Sequence, residues 1–187
     1  MNRILCTLAT LSLTIPLAIT AAHADDGYGL RRSGVTFGGG LGAGTISCSD
    51  DGCKDFDGAG SIDLHVGGML SPNIALIFDV WWMLHNKDRV TVEQGIITAA
   101  VRAWPIDHFW LQGGFGVARS GVHYSSQLIE VTSRTEWVPG FHLGIGVEPI
   151  ATNTFALDIS LRYGTGFYSD GDNMIHNASL NLGVSFY

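Results

Sequence analysis

From Asn177 to Phe186 the chain alternates without a break. Ala178, Leu180, Leu182, Val184 and Phe186 are apolar or aromatic; Asn177, Ser179, Asn181, Gly183 and Ser185 are polar or tiny. A helix would scatter these apolar residues around its circumference. A β-strand, whose side chains point to opposite faces in turn, collects them on one side. The same period recurs at seven earlier places, so the chain reads as eight two-faced strands, each needing something apolar against its greasy face.

Taken in order, strand 1 spans about 34–46, with Val35, Phe37, Leu41 and Ala43 on the apolar face and glycines on the other. Strand 2 (about 60–70) sets Ile62, Leu64, Val66 and Leu70 against Asp63, His65 and Met69. Strand 3 (about 74–84) sets Ile74, Leu76, Phe78, Val80, Trp82 and Leu84 against Asp79 and Trp81. Strand 4 (about 91–104) sets Ile97, Ala99, Val101 and Ala103 against Gln94, Thr98 and Arg102. Strand 5 (about 109–120) sets Phe109, Leu111, Phe115 and Val117 against Gln112, Gly114 and Gly116. Strand 6 (about 136–148) sets Trp137, Phe141, Leu143, Ile145 and Val147 against His142, Gly144, Gly146 and Glu148. Pro139 lies inside strand 6; it lacks a ladder donor, so a bulge is expected near that strand's start. Strand 7 (about 154–166) sets Phe155, Leu157, Ile159, Leu161 and Tyr163 against Asp158, Ser160 and Arg162.

The apolar faces carry too many large side chains for the interior of an eight-stranded barrel, which has room only for its own small or interlocking side chains. They therefore face lipid, and the polar faces, with many of the 25 glycines, line the inside. A bilayer offers backbone groups no partners, so strands that cross it must close into a barrel. The expected fold is all-β: an eight-stranded antiparallel transmembrane β-barrel, an up-and-down meander, over residues 25–187. Residues 1–24 read as a signal peptide to be cleaved, with Arg3, an apolar run from Ile4 to Ile19 and a small-residue site at Ala22-His23-Ala24. Connections alternate in length. Ser71–Asn73, Pro105–His108 and Pro149–Asn153 are short, as periplasmic turns are. Ser47–Gly58, His85–Val90, Gly121–Thr135 and Tyr168–Asn173 are long, as external loops are. Outward aromatics then fall at two levels, Trp82, Trp137, Tyr163 and Phe167 near the outer rim and Phe109, Phe155 and Phe186 near the periplasmic one.

On the signal, the period and the aromatic end, the chain resembles the small outer-membrane barrels of the OmpA, OmpX and OmpW kind. Its last strand resembles the C-terminal assembly signal of such barrels, carried here by Leu180, Leu182, Val184, Phe186 and Tyr187, with Tyr187 one residue beyond the aromatic in phase. The resemblance implies the outer membrane as location, with its lipid, lipopolysaccharide and the barrel-assembly machinery as partners, and a monomer. The net charge of −7, or −8 without the segment holding Arg3, argues against nucleic acid. No cofactor and no metal site is expected.

Four constellations carry chemistry. Cys48 and Cys53 are the cysteines left after the first 24 residues, in an oxidising compartment, and read as a disulfide pinning the first outer loop. That loop is acidic, with Asp50, Asp51, Asp55 and Asp57, and Asp170 and Asp172 add to the outer side. Its spacing fails the EF-hand pattern; it reads as a solvated loop, with a loose divalent-cation site bridging lipopolysaccharide phosphates as the alternative. His123 and Ser125 look like the His-x-Ser of the lipid A 3-O-deacylase (PagL-like) family, with Glu130 or Glu136 as the orienting acid; the competing reading is an incidental polar loop. Finally Asp63, His65, Asp79, Arg102, His142, Glu148, Asp158 and Arg162 all point inward. Buried charges must pair. The expected pairing is Arg102 with Glu148 and Asp158 in a lower cluster, and Arg162 with Asp63 or Asp79 in an upper one. The function expected is a structural or interaction barrel without enzymatic activity. A lipid-modifying enzyme and a narrow transport barrel are the alternatives.

Overall fold

The computed structural model describes residues 29–48, 56–87, 90–125, 130–168 and 174–187. Its strands are β1 (Val35–Cys48), β2 (Phe56–Ser71), β3 (Ile74–Lys87), β4 (Val90–Ile106), β5 (Phe109–Ser125), β6 (Glu130–Arg134), β7 (Val138–Ala151), β8 (Phe155–Phe167) and β9 (Met174–Phe186). Each pairs antiparallel with its neighbours, β1 also pairs with β9, and β4 pairs with β5. The sheet thereby closes into an eight-stranded barrel of β1, β2, β3, β4, β5, β7, β8 and β9. Short β6 extends the wall beyond the rim, paired to the outer end of β5. No helix among the described residues is long and apolar enough to cross a membrane; the strands do the crossing.

The lipid face is apolar because the period-two stripe points outward: Leu41, Leu64, Phe115, Leu161 and Leu182 are all more than half exposed. Aromatics gather at both rims. Phe141 lies 6.3 Å from Tyr163 and 5.9 Å from Phe167 at the outer one. Phe186 stacks on Phe37 at 5.1 Å and meets Phe155 at 5.5 Å at the periplasmic one. Aromatic rings at both interfaces are the expected belts of a membrane barrel.

Three strand-level expectations are corrected. The segment Gly121–Thr135, read as a loop, instead continues β5 to Ser125 and returns as β6, since its β-branched residues pair across as Val122↔Ser133, His123↔Thr132 and Tyr124↔Val131. Likewise β3 and β4 run on to Lys87 and from Val90, so the His85–Val90 connection is mostly ladder. Strand 6, expected from about 136, begins at Val138 as β7 and holds no bulge at the proline: the β5–β7 register runs unshifted through Val117↔Pro139. A register shift in β7 does occur, lower down, between Val147 and Ile150, where Pro149 lies.

Candidate functional site

The described lumen residues fall into three tiers. The outer tier is apolar: Ile46, Ala59, Trp81, Met83, Val92, Ile96, Ala118 and Val138 form one buried cluster, with Tyr168 and Ile175 packed against it. These residues come from the upper halves of β1, β2, β3, β4, β5 and β7. Glycine on a facing strand makes the space. A Cβ at Gly164 would lie 2.7 Å from Ile96 Cδ1 and 2.9 Å from Trp81 Cζ3, so only a hydrogen fits there. The Trp81 indole N–H donates to Ser61 Oγ at 2.9 Å, which spares it an unsatisfied buried donor.

The middle tier is polar and centred on Arg162. Arg162 donates from Nη1 to both oxygens of Asp79, at 3.0 and 3.2 Å, and from Nη2 to Asp63 Oδ1 at 2.8 Å. Asn181 Nδ2 donates to the other Asp63 oxygen at 2.7 Å. Gln112 joins this unit to the next: its amide donates to Asp79 Oδ2 at 3.0 Å and meets His142 Nε2 at 2.5 Å, and its carbonyl accepts from Arg102 Nε at 2.8 Å. With His142 Nε2 accepting, Nδ1 carries the proton and donates to Thr98 Oγ1 at 2.8 Å. Ser185 lies between Arg102 Nη1, at 3.4 Å, and His65 Nε2, at 3.3 Å.

The lower tier is aromatic and charged. Ala75, Ile77, Ala100, Trp104 and Trp110 are buried together, with Met69 and Tyr187 against them. Glu148, wholly buried, accepts from three side chains: Trp104 Nε1–H and Tyr187 O–H, each at 2.8 Å from Oε1, and Arg32 Nη2 at 2.5 Å from Oε2. Its backbone is clamped by the β4–β5 turn. His108, at φ 66°, accepts the Glu148 N–H on its own carbonyl at 2.7 Å and places its ring Nδ1 2.7 Å from the Glu148 carbonyl. Arg102 stacks on Trp110 at 4.3 Å, and Arg32 on Trp104 at 4.7 Å.

The structure thus brings Arg162 together with both Asp63 and Asp79, where one or the other was expected. It separates Arg102 from Glu148. Arg102 is directly opposite Gln112 in the β4–β5 ladder and bonds to it. Glu148 takes Arg32, which precedes the first strand. Asp158 is buried opposite Gly183, and no bond links it to Arg102. Arg32, Gln112 and Tyr187 are the site members that inward parity of charged residues misses. Gln112 is neutral, Tyr187 follows the last strand, and Arg32 precedes the first.

Cys48 is the last residue of β1; Cys53 lies outside the described residues, as do Asp50, Asp51, Asp55, Asp170, Asp172 and the segment 1–24. His123 is on β5 beyond the rim, with Nδ1 2.7 Å from Thr132 Oγ1. Ser125 pairs with Glu130 at the end of the same hairpin. Among the described residues no group of three or more His, Cys, Asp or Glu side chains is placed to hold a metal ion.

A family model described as outer membrane protein beta-barrel domain matches residues 9–187. The chain belongs to this family. Its place is therefore the bacterial outer membrane, as the outward apolar stripes require. Among solved structures, neisserial surface protein A is similar at 15% identity and a TM-score of 0.64, over 82% of this chain and 97% of that one. The attachment invasion locus protein Ail of Yersinia pestis is similar at 14% identity and a TM-score of 0.61, over 83% of this chain and 99% of that one. At these identities the likeness is one of fold. No curated protein sequence matches the chain.

Proposed function

We propose that this family member is a structural and interaction barrel that does not conduct and has no enzymatic activity. One observation carries the reading: the polar tier around Arg162 lies between a buried apolar tier above and a buried aromatic tier below, the latter closed over the Arg32–Glu148 pair. An ion entering from outside would meet packed Trp81 before a charge, and one entering from the periplasm would meet Arg32 already paired to Glu148 among Trp104 and Tyr187. The wall is left to lipid, and shallow grooves such as the one among Leu111, Leu143, Ile145, Leu161 and Tyr163 suit acyl chains. The partners that follow are outer-membrane lipid and lipopolysaccharide, the barrel-assembly machinery reading the end of β9, and whatever meets the β5–β6 hairpin outside. Ail has been crystallised with a heparin analogue, sucrose octasulfate. This chain, at net charge −7, is a poor match for a sulfated ligand by charge alone.

Planar-bilayer recording tests the reading against transport. Purified protein should give no steady large single-channel currents, and finding them would put transport first. The enzymatic alternative rests on His123 and Ser125. His123 Nδ1 lies 2.7 Å from Thr132 Oγ1 across the β5–β6 hairpin. Lipid A from cells overproducing the protein should keep its mass; loss of one acyl chain, abolished by His123→Ala, would establish the deacylase reading instead.

A further inference from the structure

Before β1 begins, the segment 29–34 crosses the periplasmic mouth of the barrel. Arg31, Ser33 and Gly34 in it are exposed, whereas Arg32 is 1% exposed. Gly34, at φ 83°, gives the backbone a left-handed turn that a residue with a Cβ adopts only under strain, and so aims the strap inward. Two backbone bonds tie the strap down: Arg31 N–H donates to Asn153 Oδ1 at 2.8 Å, and the Gly34 carbonyl accepts from Met69 N–H at 2.8 Å.

The site Arg32 enters is held together without it. Trp104 and Tyr187 both donate to Glu148 Oε1, their rings meet edge-on at 5.8 Å, and the His108 turn fixes the Glu148 backbone. This leaves Oε2 and two ring faces open to one cation. The Arg32 Cζ lies 4.7 Å from the Trp104 ring and 5.3 Å from the Tyr187 ring. A guanidinium suits such a cage better than an ammonium. It is flat and weakly hydrated, so it stacks on rings while one edge meets the carboxylate. Arg32 uses the cage incompletely, because its Nε and Nη1 are buried without hydrogen-bond partners among the described residues.

We propose that Glu148, Trp104 and Tyr187 form a guanidinium-recognition site at the periplasmic mouth, that Arg32 occupies it in cis, and that the strap yields it to a guanidinium brought by another molecule. Release of the strap uncovers the lower tier without disturbing the ladder, because residues 29–34 belong to no strand.

The test uses the full mature barrel in detergent micelles at fixed ionic strength. Arg32→Ala should lower the heat-modification midpoint. Methylguanidinium should restore it saturably by about 3 °C or more. Methylammonium should not, and the restoration should vanish in Arg32→Ala combined with Glu148→Gln. A blocked Arg-Arg-Ser tripeptide that restores at lower concentration than methylguanidinium assigns the site to a peptide partner; equal or weaker action assigns it to a free guanidinium compound. No saturable restoration, or an equal response to both cations, overturns the proposal. Should Arg32→Ala fail to fold, the wild-type strap is read directly. Methylguanidinium, and not methylammonium, should then speed alkylation of the thiol introduced by Leu30→Cys, a half-buried position in the strap. An unchanged rate would overturn the proposal equally.

Discussion

Replacing Arg162 by methionine removes the one cation that holds two buried carboxylates. Arg162 and Asp79 have side chains 2% and 0% exposed, and Asp63 5%. Each contact near 3 Å corresponds to about 5 kcal/mol of attraction at an effective dielectric near 20, most of it offset by the desolvation of both ions. Removing one partner loses the attraction and keeps the desolvation of the others, so the net cost is about 3–5 kcal/mol. For a domain of this size that is about 10 °C in the unfolding midpoint. Neutralising a carboxylate at the same time returns part of it. Asp63 keeps Asn181, at 2.7 Å, and Asp79 keeps Gln112, at 3.0 Å, but Asp79 loses contacts from Arg162 to both of its oxygens where Asp63 loses one, so Asp79 is the carboxylate most in need of relief. Urea unfolding from detergent micelles should therefore rank Arg162→Met as less stable than Arg162→Met with Asp79→Asn. A single variant within about 0.5 kcal/mol of wild type, as surface changes are, would refute the reasoning. So would a double variant that loses the sum of the two single losses.

Arg32→Met and Glu148→Gln should couple more strongly in a double-mutant cycle than Arg102→Met and Glu148→Gln, because Arg32 bonds Glu148 directly and Arg102 reaches it only through the shared Trp104. Cys48 and Cys53 should resist thiol reagents until reduced, and Cys48→Ser should leave the barrel folded, since closing so short a ring is worth roughly 2 kcal/mol in the chain-entropy model. Deleting Phe186 and Tyr187 should cut insertion sharply in a membrane-fraction assay, because it removes the aromatic stack on Phe37 and a Glu148 donor together; unchanged insertion would count against the assembly role of β9.

The wall was legible because a strand's two faces alternate residue by residue, and Leu41, Leu64, Leu161 and Leu182 declare the lipid side without any knowledge of register. The identity of the lumen residues followed from the same parity. Their partners did not, because partners depend on how far each strand is shifted against the next. Arg102 reaches Gln112 through the β4–β5 register, and Glu148 is set by the shift in β7 beside Pro149. Neither is written in one strand's pattern. Arg32 was missed for a different reason: it lies outside any periodic segment, and only the turn at Gly34 sends it into the barrel. The β5–β6 hairpin was hidden by its polar composition, since beyond the membrane rim both faces of a strand meet water and the period fades.

The claim that the lumen is filled is tested most directly by hydrogen exchange at the tryptophan indoles. Trp81 Nε1–H is bonded to Ser61 in the outer tier, and Trp104 Nε1–H to Glu148 in the lower one. Both rings are no more than 2% exposed, while Trp137 is 46% exposed on the wall. In deuterated buffer, the Trp81 and Trp104 indole signals should outlast that of Trp137 by orders of magnitude, as expected for protons released only by opening of the packed interior. Loss of the Trp81 and Trp104 signals as fast as that of Trp137 would mean a wet, open bore, and would contradict the account.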